Sequence, residues 1–190
     1  MKLQTYLAEI GRFLKPHRTI PKTPWTATSR WSVNLKNLPI LFFGLAIFGI
    51  GDALLIQSTI GNSPWSVFAQ GLSLRTPLSV GEATAITSIA VLLLWIPLKE
   101  RPGFGTLANI ALIAVFIQVG VDHIPKIEMN ILLQILYVLI GIGLVGMGSA
   151  LYITCGLGPG PRDGLMTSIH NKTGIRIARV RLSIEVTILI

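Results

Sequence analysis

The chain has 190 residues, 51% hydrophobic and 13% charged, with a mean hydropathy of +0.67 and a net charge of +8. A soluble domain carries about 25% charged residues, and here the charges cluster between long uncharged runs. That pattern excludes an ordinary soluble fold and points to lipid as the solvent. The basic excess fits membrane-span flanks that face anionic lipid. No zinc-ligand spacing, leucine zipper or aromatic-interleaved basic patch accompanies it, so nucleic acid is not an expected partner. One cysteine, Cys155, excludes an intrachain disulfide and a Cys-based metal cluster. It lies near the end of an apolar run, where a small buried thiol is usual.

Residues 1–37 read as a basic cytoplasmic tail. Lys2, Arg12, Lys15, Arg18, Lys22, Arg30 and Lys36 stand against a single acid, Glu9. There is no early apolar core, so this is not a secretory signal. Within it, Tyr6 to Leu14 fits either a short amphipathic helix on an anionic leaflet or an untethered basic segment.

Residues 38–190 read as one all-α transmembrane domain, a polytopic helix bundle. Crossing the hydrocarbon core takes about 20 apolar residues. Five stretches approach that length: Leu38–Gln57, Ser79–Leu98, Gly105–Val121, Ile131–Thr154 and Ala178 to the end. The runs are continuous and lack the alternation of barrel strands, which favours helix. With the N-terminus cytoplasmic, fourteen Lys/Arg fall inside and two outside. This is the asymmetry of the positive-inside rule. The last run, through Glu185-Val-Thr-Ile-Leu-Ile190, has no polar cap or basic flank, so a longer natural chain with a sixth span is expected.

Sliding the chain on itself by 97 residues gives an ungapped internal match. Gly44, Gly49, Gly51, Ala53, Leu54, Ile56, Gly61 and Pro64 fall on Gly141, Gly146, Gly148, Ala150, Leu151, Ile153, Gly158 and Pro161. Eight identities in 21 positions exceed the roughly two expected of a Gly- and Leu-rich background. The first copy covers residues 38–130 and the second 131–190, truncated. A unit of three spans is odd, so the second copy is expected upside down, its Pro-bearing turn facing the other compartment. Inverted repeats with Gly/Pro-interrupted elements are a transporter signature. Gly49 with Ala53, and Gly146 with Ala150, are small-x-x-x-small pairs, flanked by Gly51 and Gly148; close packing of the first and fourth spans is expected of them.

Asp52 lies inside the first span. An intramembrane carboxylate points to ion coupling, a proton relay or a substrate counter-charge, or else to a hydrogen bond that joins helices. Its repeat partner is Ser149. Pro64-Trp65 and Pro161-Arg162-Asp163 each follow a Gly-rich turn. Proline favours the first helical turn, so a helix is expected to begin at each. Two readings stay open: a helix on the membrane surface, or a site-forming half-helix whose N-terminal N–H groups suit an anion. Glu82 and Glu185 are expected to pair structurally with Arg179 or Arg181. Asn109, Gln118 and Gln134 are polar positions inside spans, suited to interhelical hydrogen bonds. His17, His123 and His170 lack metal-site spacing.

Gly141-x-Gly143-x-x-Gly146 matches a dinucleotide fingerprint in form only, since no strand precedes it. The Gly-rich loop 156–164 lacks the Gly-Lys-Ser/Thr of a P-loop. No catalytic constellation stands out, so the chain does not read as an enzyme and no metal or cofactor is expected.

Three segments carry a resemblance to a known family. They are Gly49-x-Gly51 with Ile60-Gly61-x-x-Pro64-Trp65, then Arg101-Pro-Gly-x-Gly105-Thr106-x-x-Asn109, and Gly156-Leu-Gly-x-Gly-Pro161-Arg162-Asp163-Gly164. Together they resemble the YczE/YyaS/YitT group of bacterial membrane proteins, over roughly residues 38–190. The resemblance implies a bacterial cytoplasmic-membrane location and a multi-span helical fold, without an activity. The family often has an acid after the Trp; Ser66 stands there, so a role for that acid does not carry over.

The expected function is a small transporter or permease for a small polar or anionic solute. Its polar site would lie near Asp52, Asn109 and the two Pro loops. A different class, a membrane accessory protein that binds a partner or lipid through its basic cytoplasmic face, is the alternative. Homo-oligomerisation is compatible with either.

Overall fold

A computed structural model describes residues 20–190, so Tyr6 to Leu14 and most of the basic N-terminal charges lie outside the described residues. The described residues contain helices and no strands. In chain order they are α1 (Asn37–Ser58), α2 (Pro64–Arg75), α3 (Val80–Leu93), α4 (Trp95–Leu98), α5 (Phe104–His123), α6 (Ile131–Thr154), α7 (Pro161–Thr173) and α8 (Ile177–Leu189).

Local chemistry explains most boundaries. Asn34 and Asn37 exchange side-chain-to-backbone hydrogen bonds at 2.9 and 3.0 Å, which fixes the start of α1. Ser63 caps α2, accepting from the Ser66 N–H at 3.2 Å, with Pro64 in the first turn. Ser79 and Glu82 form a reciprocal capping box on α3. The break between α3 and α4 lies four residues before Pro97, whose missing N–H leaves the Leu93 carbonyl without its helical donor. Asn130 caps α6, accepting from the N–H groups of Leu132 and Leu133. The starts of α2 and α3 recur ninety-seven residues later as the starts of α7 and α8.

Among the described residues, four helices are long and apolar enough to cross a membrane: α1, α3 continued through α4, α5 and α6. The stretch expected as a fifth span forms the thirteen-residue α8. Large apolar side chains stand exposed along the long helices, among them Phe43, Ile89, Val115, Leu139 and Ile142. Apolar surface on this scale suits lipid contact and not water.

Helix α1 is the hub, packed on both α5 and α6. It runs antiparallel to α6, since Gly44 abuts Gly148 near one end and Gly51 abuts Gly141 further along. A Cβ added at Gly51 would lie 2.9 Å from the Gly141 carbonyl oxygen, and one at Gly141 would lie 2.9 Å from that of Gly51. Backbones this close require glycine on both sides. Packing of the first and fourth spans is thus present, with a correction to the residues that make it. Gly51 and Gly148 lie in that seam. Gly49 and Ala53 instead face α5, against Phe116 and Gly120, and nothing lies within 4 Å of a Cβ built on Gly146. Ala150 is exposed beside it. The sequence shows that a glycine is small, and not which neighbour it meets.

Residues 20–36, within the segment read as a basic tail, pack against one end of the bundle. The Trp25 indole donates to the Thr154 hydroxyl at 3.1 Å, and the Thr26 hydroxyl to the Thr154 carbonyl at 2.9 Å. The Ala27 N–H donates to the Cys155 carbonyl at 2.8 Å, while the Arg30 carbonyl accepts from the Phe104 N–H at 2.9 Å. This strap thereby serves the orphan carbonyls that end α6 and an orphan donor that begins α5. At the opposite end, Gln134 donates to the Thr59 hydroxyl at 2.9 Å, and Gln57 to the Val121 and Ile124 carbonyls at 2.7 Å each.

Candidate functional site

Between α1, α3, α5, α6 and the starts of α2 and α7 lies a cavity of about 320 Å³. Of the residues singled out by sequence, Asp52, Trp65, Asn109, Pro161, Arg162 and Asp163 all line it. Pro64 does not, but it opens the helix that carries Trp65.

Each residue arrives by a definable route. Asp52 projects from α1 one residue past the Gly51 seam and is 4% exposed. Its carboxylate accepts a long hydrogen bond, 3.5 Å, from the Ser66 hydroxyl in the first turn of α2. Asn109 projects from α5, is 8% exposed and packs against Gly160, where a Cβ would lie 3.0 Å from its amide nitrogen. Among the described residues its amide has no side-chain hydrogen-bond partner. Arg162 stands in the first turn of α7, with its guanidinium carbon 4.9 Å from the centre of the Trp65 ring. This cation–π contact joins the starts of α2 and α7. Among the described residues no carboxylate comes within 4.0 Å of Arg162. Asp163 accepts a hydrogen bond from the Tyr152 hydroxyl.

The start of α7 is held firmly. The Trp95 indole donates to the Pro161 carbonyl at 3.0 Å, and its ring lies against Gly164, leaving no room for a Cβ there. The Thr106 hydroxyl donates to the Pro159 carbonyl at 2.8 Å, and the Gly105 N–H to the Leu157 carbonyl at 2.8 Å. The turns before α2 and α7 lie at opposite ends of the bundle, by Thr59 with Gln134 and by Gly158 with Gly103. Their helix starts nonetheless converge on one cavity.

Several lining residues were not singled out by sequence as site residues. Tyr152, Ser149, Thr84 and Ser88 lie on the cavity wall with Arg181 and Glu185, which pair with each other at 2.8 Å. The structural pair expected of Glu185 is this one, with Arg181. Glu82 instead caps α3. The missed signal is the repeat register: Leu55, Thr84 and Ser88 lie ninety-seven residues before Tyr152, Arg181 and Glu185. Gln118 and Gln134 do bridge elements, Gln118 by accepting from the Gly81 N–H of α3 at 3.0 Å.

Outside the bundle interior, Arg30 and Glu100 pair at 2.6 Å, and Ser168 donates to Glu100 at 3.1 Å. Burial pushes the Glu100 carboxyl up, but these bonds, the Arg30 charge and the Arg101 N–H outweigh it and hold the group below its ordinary range. Among the described residues no three His, Cys, Asp or Glu side chains gather as a metal-binding group.

A family profile described as "Family of unknown function (DUF6198)" matches residues 35–190. The chain is similar to an uncharacterized protein of Haemophilus influenzae, 43% identical across 92% of this chain and 79% of that protein. It is also similar to the uncharacterized membrane protein YczE of Bacillus subtilis, 36% identical across 84% of this chain and 72% of YczE. The B. subtilis protein YyaS is 32% identical across 67% of this chain and 65% of YyaS. No solved structure matches the chain.

Proposed function

The chain belongs to the DUF6198 family, with the YczE and YyaS proteins, and from that premise we propose that it is a transporter that moves a small polar solute through the cavity beside Asp52. It crosses the bacterial cytoplasmic membrane several times with its N-terminus inside. Its two halves have opposite polarity, and it performs no covalent chemistry.

One observation carries the reading. The cavity wall is built from pairs of residues ninety-seven positions apart: Asp52 and Ser149, Leu55 and Tyr152, Ser63 and Gly160, Trp65 and Arg162, Thr84 and Arg181, Ser88 and Glu185. A cavity lined equally by both copies sits on the axis relating them, where inverted-repeat transporters hold their solute. The antiparallel α1 and α6 support the inversion, because Gly44 against Gly148 and Gly141 against Gly51 are the same contact under the 97-residue shift. The helix starts at Pro64 and Pro161 serve as site-forming half-helices that enter from opposite ends. The bare Gly146–Ala150 face of α6 corresponds to the Gly49–Ala53 face that α5 covers. It is where a sixth span, or another copy of the chain, would pack.

The exposed stretch Lys172 to Arg179 supports a second reading, an accessory protein that holds a partner or anionic lipid there. Flux separates the two. The whole protein, reconstituted in liposomes, should move a radiolabelled solute from a panel of small polar metabolites, and Asp52→Asn should abolish that movement. Absence of flux, together with a partner crosslinked through residues 162–181, would replace transport with the accessory role.

A further inference from the structure

The charges in the cavity name the class of its occupant, an inference that rests on the transport reading above. Arg181 and Glu185 neutralise each other at 2.8 Å. Three charges remain without a counterion within 4.0 Å among the described residues: Arg162, Asp52 and Asp163, the last already engaged by the Tyr152 hydroxyl. Arg162 has no carboxylate within 4.0 Å and lines the cavity, with its guanidinium carbon 4.9 Å from the centre of the Trp65 ring. Asp52, nine-tenths buried, holds only the Ser66 hydroxyl at 3.5 Å. Beside them Asn109, also nine-tenths buried, presents an amide without a side-chain hydrogen-bond partner. The N-terminus of α7 has no side-chain cap, since Gly160 occupies that position.

Opposite charges held apart in a largely buried site are each costly, and a ligand bearing both matching charges relieves both. A lone anion would satisfy Arg162 but would stand near the carboxylates of Asp52 and Asp163. A lone cation would satisfy Asp52 and leave Arg162 bare. We infer that the cavity takes a small zwitterion of the α-amino-acid type, its carboxylate on Arg162 and the uncapped start of α7, its ammonium on Asp52 with Asn109 alongside. The guanidinium supplies paired donors to a carboxylate, and the helix start adds free N–H groups and a positive dipole end. About 320 Å³ lies at the small end of the range for ligand sites, which suits a molecule of this size.

Thermal melts and liposome counterflow on the whole protein test the assignment. The probes are the common L-amino acids, each set against the amine and the carboxylate of matched carbon skeleton, such as alanine, ethylamine and propionate. At least one amino acid should raise the melting temperature by about 5 °C at saturation and be carried in counterflow. Its matched amine and carboxylate should do neither. Asp52→Asn and Arg162→Gln, each with unchanged elution volume, should weaken that amino acid at least about tenfold. If a variant fails to fold, the wild-type ligand series decides alone. A carboxylate or an amine that binds and moves as well as the amino acid overturns the zwitterion and leaves transport standing. So does flux of a different solute with no amino acid bound. No binding and no flux for any probe removes both readings.

Discussion

The two halves of the cavity wall occupy equivalent places and differ in chemistry. On one side stand Asp52, Trp65, Thr84 and Ser88; ninety-seven residues on stand Ser149, Arg162, Arg181 and Glu185. The glycines of the α1–α6 seam show the reverse, with Gly44 and Gly51 matched by Gly141 and Gly148. The difference lies in what each place must do. Where two backbones touch, any side chain collides with a carbonyl from the other helix, so both copies keep glycine. Where the copies face a void, nothing forces them to match. Divergence there put Asp52 on one side, and Arg162, Asp163 and the Arg181–Glu185 pair on the other.

Orientation offers the sharpest break in this comparison. Gly61 and Lys172 are both exposed and follow α1 and α6 respectively. Gly61→Cys should react with an impermeant maleimide in intact cells, and Lys172→Cys only after permeabilisation, a contrast approaching all-or-none. The native thiol gives no background, because Cys155 is buried and burial pushes it up to about 11. Equal labelling from one side would end the inverted arrangement.

A stability contrast comes next. A side chain at Gly49 meets Phe116 Cβ at 2.6 Å and the Ile113 carbonyl at 3.1 Å, whereas nothing surrounds Gly146. Gly49→Leu should cost about 3 kcal/mol in thermal or denaturant unfolding, and Gly146→Leu no more than about 0.5 kcal/mol. Equal damage from both would mean that a further span or a second copy covers the α6 face. Trp65→Ala removes the ring beneath Arg162 and should weaken the solute by roughly fivefold in titration calorimetry, as expected of a cation–π contact worth about 1 kcal/mol. Trp65→Phe should recover most of it.

The smallest effect belongs to the Arg30–Glu100 pair, which ties the 20–36 strap to the α4–α5 turn. The folded Glu100 carboxyl titrates below its ordinary value. Its contribution is therefore complete above that ordinary value and lost as pH falls through the lowered one. Because the pair is partly exposed, melts from pH 7 down to about 3 should reveal less than about 1 kcal/mol from it. Glu100→Gln should flatten that part of the profile.

Local signals in the chain were legible wherever one residue suffices to act. Uncharged length marked α6 at Ile131–Thr154, and proline marked the first turns at Pro64 and Pro161. The recurrence of glycine at 97 residues located both sides of the α1–α6 seam. A residue type also flagged Asp52, Asn109 and Arg162, since charges and amides are rare in spans. Tyr152 passed unnoticed because an aromatic in an apolar run carries no such signal; only its contact with Asp163 gives it a role.

Sequence by itself thus determined an apolar helical chain, the starts of its helices and the polar residues it places among them, because solvent and backbone chemistry act on each residue where it stands. Tertiary structure alone decided which glycine faces which helix, that residues 20–36 close one end, and that Trp65 and Arg162 meet. Those outcomes depend on how helices rotate and slide against one another. That geometry arises from packing between segments a hundred residues apart, which no local pattern encodes.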